Sequence, residues 1–367
     1  MRELWRSLVF LWACCLSVST LWGEVEGRRL AEQHCANCHQ FPEPDLLPER
    51  SWRYMLSYMG FFLGVEDYDD LEGESDATLE SIHARAGFVR EAGMFPGGSL
   101  ISEGDWALLK KYYFSNARDA GSVGMTSNAV AGEMEGFRVW SSQYEMDTPL
   151  TSLVYVDESS GHVLLHDGRS ERLTILDKRL RFFDSHPAPG VSLVDAVRKG
   201  EDALYLLSIG DLFASNIGKG FGEIQRVKVY DGIFLGLDIQ LDGLHRPADF
   251  AFADMNEDGV EDVLVSNFGD YTGNFTIYLG EREGGGFKPE GIVLSEQPGI
   301  VKGEPYDFDG DGRLDVAVLM SAARENMSVF LNRGSGRFER EILWEAHSAF
   351  GYVGFELRDF DGDGRID

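Results

Sequence analysis

The feature that most constrains the fold of this chain is a nine-residue aspartate pattern that occurs three times. It occupies residues 254–262 (loop I), 307–315 (loop II) and 359–367 (loop III), so its copies start 53 and 52 residues apart. About four short runs of alternating apolar and polar residues accompany each repeat, with Gly and Asp turns between them. Repeats of this length, each with four short strands, predict the blades of a β-propeller.

The loops have the composition of a cation site. Positions 1, 3, 5 and 9 carry side-chain oxygen atoms, and glycine at position 6 permits a tight turn. Because so many carboxylates in one short loop repel one another without a cation, we expect bound calcium with a largely structural role rather than metal-free turns. An EF-hand is excluded, since its position 12 would be Val265 or Val318 instead of a bidentate glutamate. The expected ligands are Asp254, Asn256, Asp258 and Asp262 in loop I, Asp307, Asp309, Asp311 and Asp315 in loop II, and Asp359, Asp361, Asp363 and Asp367 in loop III.

A second motif lies near the N-terminus, where Cys35, Cys38 and His39 form a Cys-x-x-Cys-His sequence. This pattern predicts covalent attachment of haem c, because each thiol can form a thioether to a haem vinyl group. The histidine is then the proximal ligand of the iron. A disulfide or a redox dithiol is the alternative, while zinc would require a second Cys/His pair at matching spacing, which the sequence lacks.

Two methionines compete to be the sixth ligand of the haem iron. Met59 lies on a predicted helix, and Met94 stands just before the last predicted helix. We favour Met59, with ordinary core packing as the alternative for either residue. His34 is adjacent to the motif and cannot readily reach the far face of the haem, so we interpret it as a surface residue.

The N-terminal residues predict export. Arg2 and Arg6 precede an apolar run over 8–18 that is too short to span a bilayer. A lipid anchor at Cys14 is an alternative that the bulky neighbour Trp12 argues against. No transmembrane span is expected beyond the signal, so the protein should be periplasmic or extracellular. The predicted domains are a signal peptide over 1–23, a cytochrome c domain over 24–118, a linker over 119–137 and a β-propeller over 138–367.

Local sequence patterns predict the helices and strands within these domains. Apolar residues at helical spacing predict helices over 25–34 and 50–63, and Ser102 is the predicted start of the last helix. The predicted fold class is therefore multidomain, with a small all-α cytochrome c domain followed by an all-β propeller. The predicted strands include 152–156, 162–165, 172–176, 203–207 and 224–229.

The aspartate loops resemble the FG-GAP, or VCBS, repeats of integrin-like propellers, most sharply from Phe250 onward. The whole chain resembles exported bacterial proteins that join an N-terminal class I cytochrome c domain to such a propeller. That resemblance is carried by 35–44, by Met59-Gly60 and by Asp105-Trp106. It implies architecture more firmly than activity. Because loop III ends at the last residue of the sequence, we expect an incomplete propeller.

The composition and motifs leave three functions to compare. The first is an electron-transfer protein that serves a redox partner protein, with the propeller as a platform for a protein or polysaccharide ligand. The second is a propeller oxidoreductase whose cytochrome domain removes electrons from a substrate or quinone cofactor, and the third is an adhesion module with a haem sensor. No catalytic cluster is recognisable, so no catalytic residue is assigned. A net charge of −29 argues against nucleic acid as a partner, and the acidic stretch over 66–76 is a solvated loop or a docking patch for a basic partner.

Overall fold

The computed structural model divides into two compact units, a helical one ending near Ala129 and a strand-rich one beginning at Val130. No helix among the described residues is long and apolar enough to cross a membrane. Residues 1–22 of the predicted signal peptide lie outside the described residues, and its last residue, Gly23, lies in a helix. The structure describes residues 23–37, 40–91, 93, 95–119, 136, 142, 144–146, 148–210, 212, 222–230, 233–269, 272–321, 325–347, 350–362 and 366.

The helical unit contains four described α-helices joined by short 3₁₀ turns. The helix predicted over 50–63 consists of an α-helix followed directly by a 3₁₀ turn, because the chain tightens after Gly60. The third helix has no counterpart among the predicted spans; its buried residues include Ile82, Ala86 and Val89. The bounds are 23–35 for α1, Glu49–Gly60 for α2, Asp76–Glu91 for α3 and Glu103–Asn116 for α4, with 3₁₀ turns at Pro44–Leu46, Phe61–Leu63 and Asp69–Leu71.

Helix α4 begins where the sequence predicts. The Ser102 hydroxyl oxygen accepts a hydrogen bond from the backbone N–H of Asp105 at 3.1 Å, which satisfies a donor that the helix itself leaves unpaired. The buried face of α4 includes Trp106 and Tyr113, and Tyr113 packs against Trp52 of α2 with 4.4 Å between ring centroids. These aromatic side chains form one buried cluster.

Helices α1 and α4 approach each other closely at Gly27. A Cβ atom at Gly27 would lie 2.7 Å from the carbonyl oxygen of Leu108 and 2.8 Å from Cβ of Tyr112. Glycine is therefore required for this contact. It brings the C-terminal end of α1, where Cys35 lies, to the aromatic core.

The described residues of the strand-rich unit form four antiparallel sheets, each with four strands in chain order. We call them blades 1 to 4. The first strands of consecutive blades pack against one another, which is the arrangement of a propeller. Blade 1 contains β1 (Thr151–Asp157), β2 (His162–Asp167), β3 (Arg172–Leu176) and β4 (Phe182–Pro187); blade 2 contains β5 (Leu193–Lys199), β6 (Ala203–Ser208), β7 (Gly222–Tyr230) and β8 (Ile233–Leu244); blade 3 contains β9 (Pro247–Ala253), β10 (Asp262–Asn267), β11 (Asn274–Tyr278) and β12 (Ile292–Ser295); blade 4 contains β13 (Ile300–Tyr306), β14 (Asp315–Met320), β15 (Glu325–Asn332) and β16 (Phe338–Ala346).

The second strands of blades 3 and 4 are the most deeply buried. Every residue of β10 and of β14 is buried. In β14, Val316 and Val318 pack against blade 3, while Ala317 and Leu319 pack in a second cluster that Phe355 borders. Val265 and Val318, which excluded the EF-hand, lie in these strands as predicted. The five predicted strand spans correspond to β1, β2, β3, β6 and β7.

The first strand of each blade carries a β-bulge at the same place. The pairing skips one residue, namely Ser152 in β1, Val194 in β5, Ala248 in β9 and Val301 in β13. A bulge leaves one residue unpaired and turns its neighbours. The residue that follows the bulge is thereby placed at the junction with the next blade in chain order.

In blades 2 to 4 the residue after the bulge is polar, and its side chain contacts a backbone group beyond its own blade. The Asp195 carboxyl group accepts a hydrogen bond from the N–H of Phe250 in the next blade. The Asp249 carboxyl group accepts one in the same way from the N–H of Gly303 at 3.1 Å. Lys302 occupies the equivalent position in blade 4 and donates to the carbonyl oxygen of Phe355 at 3.1 Å. The repeated position thus accepts a backbone hydrogen bond in blades 2 and 3 and donates one in blade 4.

Candidate metal centres

Loops I and II occupy the same place in consecutive blades. Loop I joins β9 to β10 and loop II joins β13 to β14, so each follows the first strand of its blade. Blades 1 and 2 have only short turns at this place, 158–161 and 200–202. In the first of these, Asp157 accepts hydrogen bonds from the hydroxyls of Ser159 and Ser160, both at 2.7 Å. Blade 1 therefore has an aspartate turn here without the full set of oxygen ligands.

Loop II is held in shape by backbone amides that point at its carboxylates. Asp307, at position 1, accepts hydrogen bonds from the N–H groups of Gly310 at 2.8 Å and of Gly312 at 2.9 Å. Asp309 accepts one from the N–H of Asp311 at 3.2 Å. These bonds gather the carboxylates around one point, because each side chain is turned inward toward the loop's own backbone.

Position 9 connects the loop to the sheet. Asp315 is fully buried and accepts hydrogen bonds from the N–H of Phe308 at 2.9 Å and of Asn332 at 2.7 Å. Asp262 of loop I is also fully buried and does the same with the N–H groups of Met255 and Gly280, both at 2.9 Å. The two loops therefore share one scaffold, although their sequences differ at several positions.

Loop I repeats the inner hydrogen bonds as well. Asp254 accepts from the N–H of Gly259 at 2.8 Å, and Asn256 accepts from the N–H of Asp258 at 2.9 Å. Asp258 in turn accepts from the N–H of Val260 at 2.8 Å. All four predicted ligands of loop I thus have their side chains fixed by the loop.

The turn requires left-handed backbone at two positions rather than at one. Position 6 is glycine in both loops, with φ of 83° at Gly259 and 92° at Gly312. Position 4 is also left-handed, with φ of 75° at Gly310, 78° at Gly362 and 61° at Glu257. The sequence analysis identified only the glycine of position 6. A glutamate in this region is strained by about 1–2 kcal/mol.

The carboxylates of loop II lie close enough together for one cation. One oxygen each of Asp307, Asp309 and Asp315 lie within 4.8 Å of one another. Asp311, the other predicted ligand, contacts Arg313, and Asp309 also accepts a hydrogen bond from Arg333 at 2.7 Å. A bound cation would therefore compete with arginine for two of the four carboxylates.

In loop I the close packing of carboxylates affects the pKa of Asp262, the residue at position 9. Burial raises the pKa of Asp262; the amides of Gly280 and Met255 oppose this, while repulsion from Asp258 and Asp254 adds to it. A carboxylate whose pKa is raised by burial and by like charges is stabilised when a cation binds beside it. Loop I has the oxygen ligands and the charge for a hard cation.

Loop III is described only in its first half. Asp359 accepts a hydrogen bond from the N–H of Gly362 at 2.6 Å, the bond that Asp307 makes with Gly310 in loop II. Asp361 lies within the same turn. The predicted ligands Asp363 and Asp367 lie outside the described residues.

The haem motif is described in part. Cys35 is half-buried at the C-terminal end of α1 and packs against the cluster that contains Trp52 and Tyr113. Burial, and then the neighbouring Cys35 thiol, raise the pKa of Tyr113. The predicted ligands Cys38, His39 and Met94 lie outside the described residues.

Helix α2 has two apolar faces with different exposure. Trp52, Leu56 and Gly60 are buried in the core of the helical unit. The neighbouring face is only half-buried. Since residues three and four apart share a face, its members form one apolar stripe beside the Cys35 cluster. The members are Met55, Tyr58, Met59 and Phe62, and Met55 packs against the same cluster as Cys35.

Two histidines of this unit, His34 and His83, differ in their exposure. His34, interpreted as a surface residue, is half-buried, and burial lowers its pKa. His83 is exposed on α3, and its ring contacts Tyr68 edge-on with 4.8 Å between centroids.

The acidic stretch over 66–76 is largely paired. Lys110 of α4 binds Asp67 at 2.5 Å and also contacts Asp70, and Trp106 donates to Asp67 at 2.9 Å. Against the raising effect of burial, the hydrogen bonds from Lys110, the Asp69 amide and Trp106 lower the pKa of Asp67. Glu66 and Glu74 pair with Arg90 and Arg50. Much of the charge of a docking patch is therefore neutralised by the unit itself.

Comparison with known proteins matches the propeller end of the chain. The family described as "FG-GAP-like repeat" matches residues 254–318 and 307–367, which include loops I to III. Residues 254–367 are therefore similar to FG-GAP repeats, and the four described antiparallel sheets form a propeller-like fold. Comparison with curated proteins gives no significant match.

Several solved structures share a limited likeness with this chain. A protein from Lactobacillus plantarum is 13% identical over 53% of this chain and 57% of its own, with a TM-score of 0.36. The Dos1 propeller is 10% identical over 55% and 50%, with a TM-score of 0.38. A luciferin-regenerating enzyme is 11% identical over 54% and 64%, with a TM-score of 0.35. The chain thus spans less than two thirds of each of these solved chains.

Proposed function

We propose that this protein is an exported c-type cytochrome that transfers electrons through a covalently bound haem, carried on a calcium-binding β-propeller. The observation that carries the proposal is the Cys-x-x-Cys-His motif of residues 35–39, which begins at the C-terminal end of α1. Its first cysteine packs against the aromatic core of a small helical unit. In this motif the cysteines anchor haem and the histidine binds its iron.

The described part of the helical unit fits a flat apolar group. The half-buried stripe of Met55, Tyr58, Met59 and Phe62 offers apolar and aromatic surface next to the Cys35 cluster. A face of this kind is stabilised when an apolar partner removes it from water. Cys35, Cys38 and His39 would hold the haem, and Met59 is the proposed sixth ligand. When bound, the haem supplies one-electron transfer.

A buried arginine nitrogen supports the same fit. The Nε atom of the half-buried Arg85 on α3 is buried and has no hydrogen-bond partner among the described residues. The guanidinium lies over the ring of Tyr58, 4.9 Å from the centroid, so it stands beside the stripe. A buried N–H group is unfavourable unless an acceptor pairs with it. Haem carries carboxylates that could supply this partner.

The propeller is proposed to serve as a platform stabilised by calcium at loops I to III. Support comes from the shared hydrogen-bond scaffold of loops I and II and from the three convergent carboxylates of loop II. The loops lie between strands and bind their own backbone, which suits a structural cation better than a catalytic one. A redox partner protein and a protein or polysaccharide ligand of the propeller remain the proposed partners.

The test of the haem is covalent attachment. The full chain is expressed for export together with cytochrome c maturation, and the purified protein is stained for haem after denaturing electrophoresis. We expect the wild type to stain, Cys35→Ala combined with Cys38→Ala to lose the stain, and the neighbouring variant His34→Ala to keep it. A colourless wild type, or a double variant that still stains, would overturn the proposal.

A second measurement separates electron transfer from substrate oxidation. The reduced protein should pass electrons to a small soluble cytochrome c, and the purified protein should contain no organic cofactor besides haem. Release of a quinone cofactor on denaturation, together with electron flow from an added substrate, would favour the oxidoreductase instead.

A further inference from the structure

Arg333 binds a carboxylate that loop II offers to a cation. Its Nη1 atom donates a hydrogen bond to Oδ2 of Asp309 at 2.7 Å, and the N–H of Asp311 donates to Oδ1 of the same carboxylate at 3.2 Å. Asp309 is one of the three loop II residues whose oxygens lie within 4.8 Å of one another. Both oxygens of this convergent carboxylate therefore already accept hydrogen bonds, and a guanidinium balances its charge.

The equivalent place beside loop I carries the opposite charge. Asn332 and Gly280 are equivalent, because the backbone N–H of each donates to the position-9 aspartate of its loop. The residues that follow them are Arg333 beside loop II and Glu281 beside loop I. The backbone N–H of each of these also closes the following turn by a hydrogen bond, at 2.8 Å and 2.9 Å respectively. Two loops with one scaffold thus differ in the charge of the residue at their side.

Arg333 has a second carboxylate within reach. Its Nε atom donates to Glu339 of β16 at 3.0 Å. Glu339 is exposed and lies outside the calcium loops. If a cation took Asp309, Arg333 would keep this partner, so the guanidinium can be displaced from loop II without becoming unpaired.

We propose that Arg333 is a built-in competitor of calcium, which binds Asp309 in the absence of calcium, is released to Glu339 when calcium binds, and so weakens calcium binding at loop II. The inference rests on the proposed function, because it requires calcium at the loops. The Arg333–Asp309 pair must be given up before calcium can use this carboxylate fully, so its free energy opposes binding. Since ion pairs between partly exposed side chains are weak, we expect the affinity to be lowered about two- to fivefold.

The experiment is a calorimetric calcium titration of full-chain variants whose folding is first checked by circular dichroism. The loop II step of the titration is the one that Asp309→Asn weakens. At this step Arg333→Gln should bind calcium about two- to fivefold more tightly than the wild type. Glu339→Gln should bind it more weakly, because Arg333 then has Asp309 as its remaining described carboxylate partner. Arg337→Gln removes the same charge from an exposed position of the same turn and should bind calcium like the wild type.

A double variant separates competition at one carboxylate from the general repulsion between calcium and a nearby positive charge. If Arg333 acts by binding Asp309, then Arg333→Gln should leave the calcium affinity unchanged in a chain that already carries Asp309→Asn. An equal gain in affinity with and without Asp309→Asn would show that Arg333 acts through its charge alone, and would overturn the competition.

The outcomes distinguish this inference from the proposed function. A wild type that binds no calcium overturns the calcium assignment of the propeller, and the inference with it. A wild type that binds calcium, together with equal affinities for Arg333→Gln and Arg337→Gln, overturns the inference alone. If Arg333→Gln does not fold, Glu339→Gln decides, since unchanged or tighter calcium binding in that variant contradicts a guanidinium shared between the two carboxylates.

Discussion

The side-chain amide of Asn332 donates a hydrogen bond to the carbonyl oxygen of Met255 at 2.9 Å, and so joins blade 4 to loop I of blade 3. The same amide donates to the carbonyl oxygen of Leu314 in loop II at 3.1 Å, and the backbone N–H of Asn332 donates to Asp315. Asn332 is buried at the end of β15. One side chain thus connects the two described loops, and sequence reasoning did not single it out.

Replacing Asn332 should destabilise the propeller. Asn332→Ala leaves the buried carbonyl oxygen of Met255 and the partly buried one of Leu314 without this donor, and the loss at a buried group costs about 1–3 kcal/mol. We expect a clear fall in the melting temperature measured by circular dichroism. Glu341→Ala, an exposed position on β16, is the control and should change little. Equal melting temperatures for Asn332→Ala and the control would mean that the bridge contributes nothing.

Calcium should stabilise the protein, because it binds the folded loops and not the unfolded chain. Removing calcium with a chelator should lower the melting temperature of the strand-rich unit while the haem spectrum stays the same. Asp309→Ala should weaken binding, since it removes one of the three convergent carboxylates of loop II. The readouts are calorimetric calcium titration and the melting temperature with and without chelator.

The matched control for Asp309→Ala is Glu283→Ala, which removes the same charge from an exposed turn that follows β11. Its calcium affinity should equal that of the wild type. The calcium assignment fails if the melting temperature is the same in chelator and in millimolar calcium. It also fails if both variants bind calcium alike.

Features of the fold that depend on local sequence were predictable, and contacts between distant residues were not. The period of the aspartate loops predicted strands and blades correctly because each blade repeats the same local pattern, and Ser102 predicted the start of α4 because a helix cap is a local interaction. The junctions between blades were not predictable in this way. Asn332, Asp249 and Lys302 act on residues far away in sequence, and nothing local distinguishes them from ordinary polar strand residues.

The left-handed residue at position 4 of loop I offers a direct test of backbone strain. Glu257 has φ of 61°, whereas loops II and III have Gly310 and Gly362 at this position. Glu257→Gly should stabilise the protein by about 0.5–1 kcal/mol, because glycine adopts this conformation freely but loses more entropy on folding. Gly310→Ala should destabilise it by about 1 kcal/mol. Chemical denaturation in excess calcium measures the change in unfolding free energy for both variants. If the two changes have the same sign, the backbone at position 4 is not strained as described.

The blade junctions should respond to pH. Burial raises the pKa of Asp249 to about 7, although a hydrogen bond from the N–H of Gly303 opposes the shift. Burial likewise raises the pKa of Asp195 to about 6, against hydrogen bonds from the N–H groups of Ala196 and Phe250. A folded-state pKa above the unfolded value of 3.8 means that the folded protein binds these protons more tightly. Their contribution to stability is therefore present below pH 3.8 and is lost as the pH rises to about 7.

The variant Asp249→Asn isolates this effect. It cannot titrate, so the wild type should lose stability relative to the variant between pH 4 and 7 when both are measured by chemical denaturation. Lys302 and Glu304 face the same junction and are unchanged in the comparison. If the difference in unfolding free energy between the wild type and Asp249→Asn is constant with pH, Asp249 does not titrate in this range.

The sixth ligand of the haem iron can be assigned spectroscopically. Ligation by histidine and methionine gives a weak far-red band that depends on the sulfur–iron bond and is accompanied by a raised potential. Met59→Ala should remove this band and lower the potential, because Met59 lies on the half-buried stripe of α2. Met55→Ala, one turn earlier on the same stripe, is the matched control, and Met94→Ala tests the competing position. Loss of the band in Met94→Ala and its retention in Met59→Ala would assign the ligand to Met94.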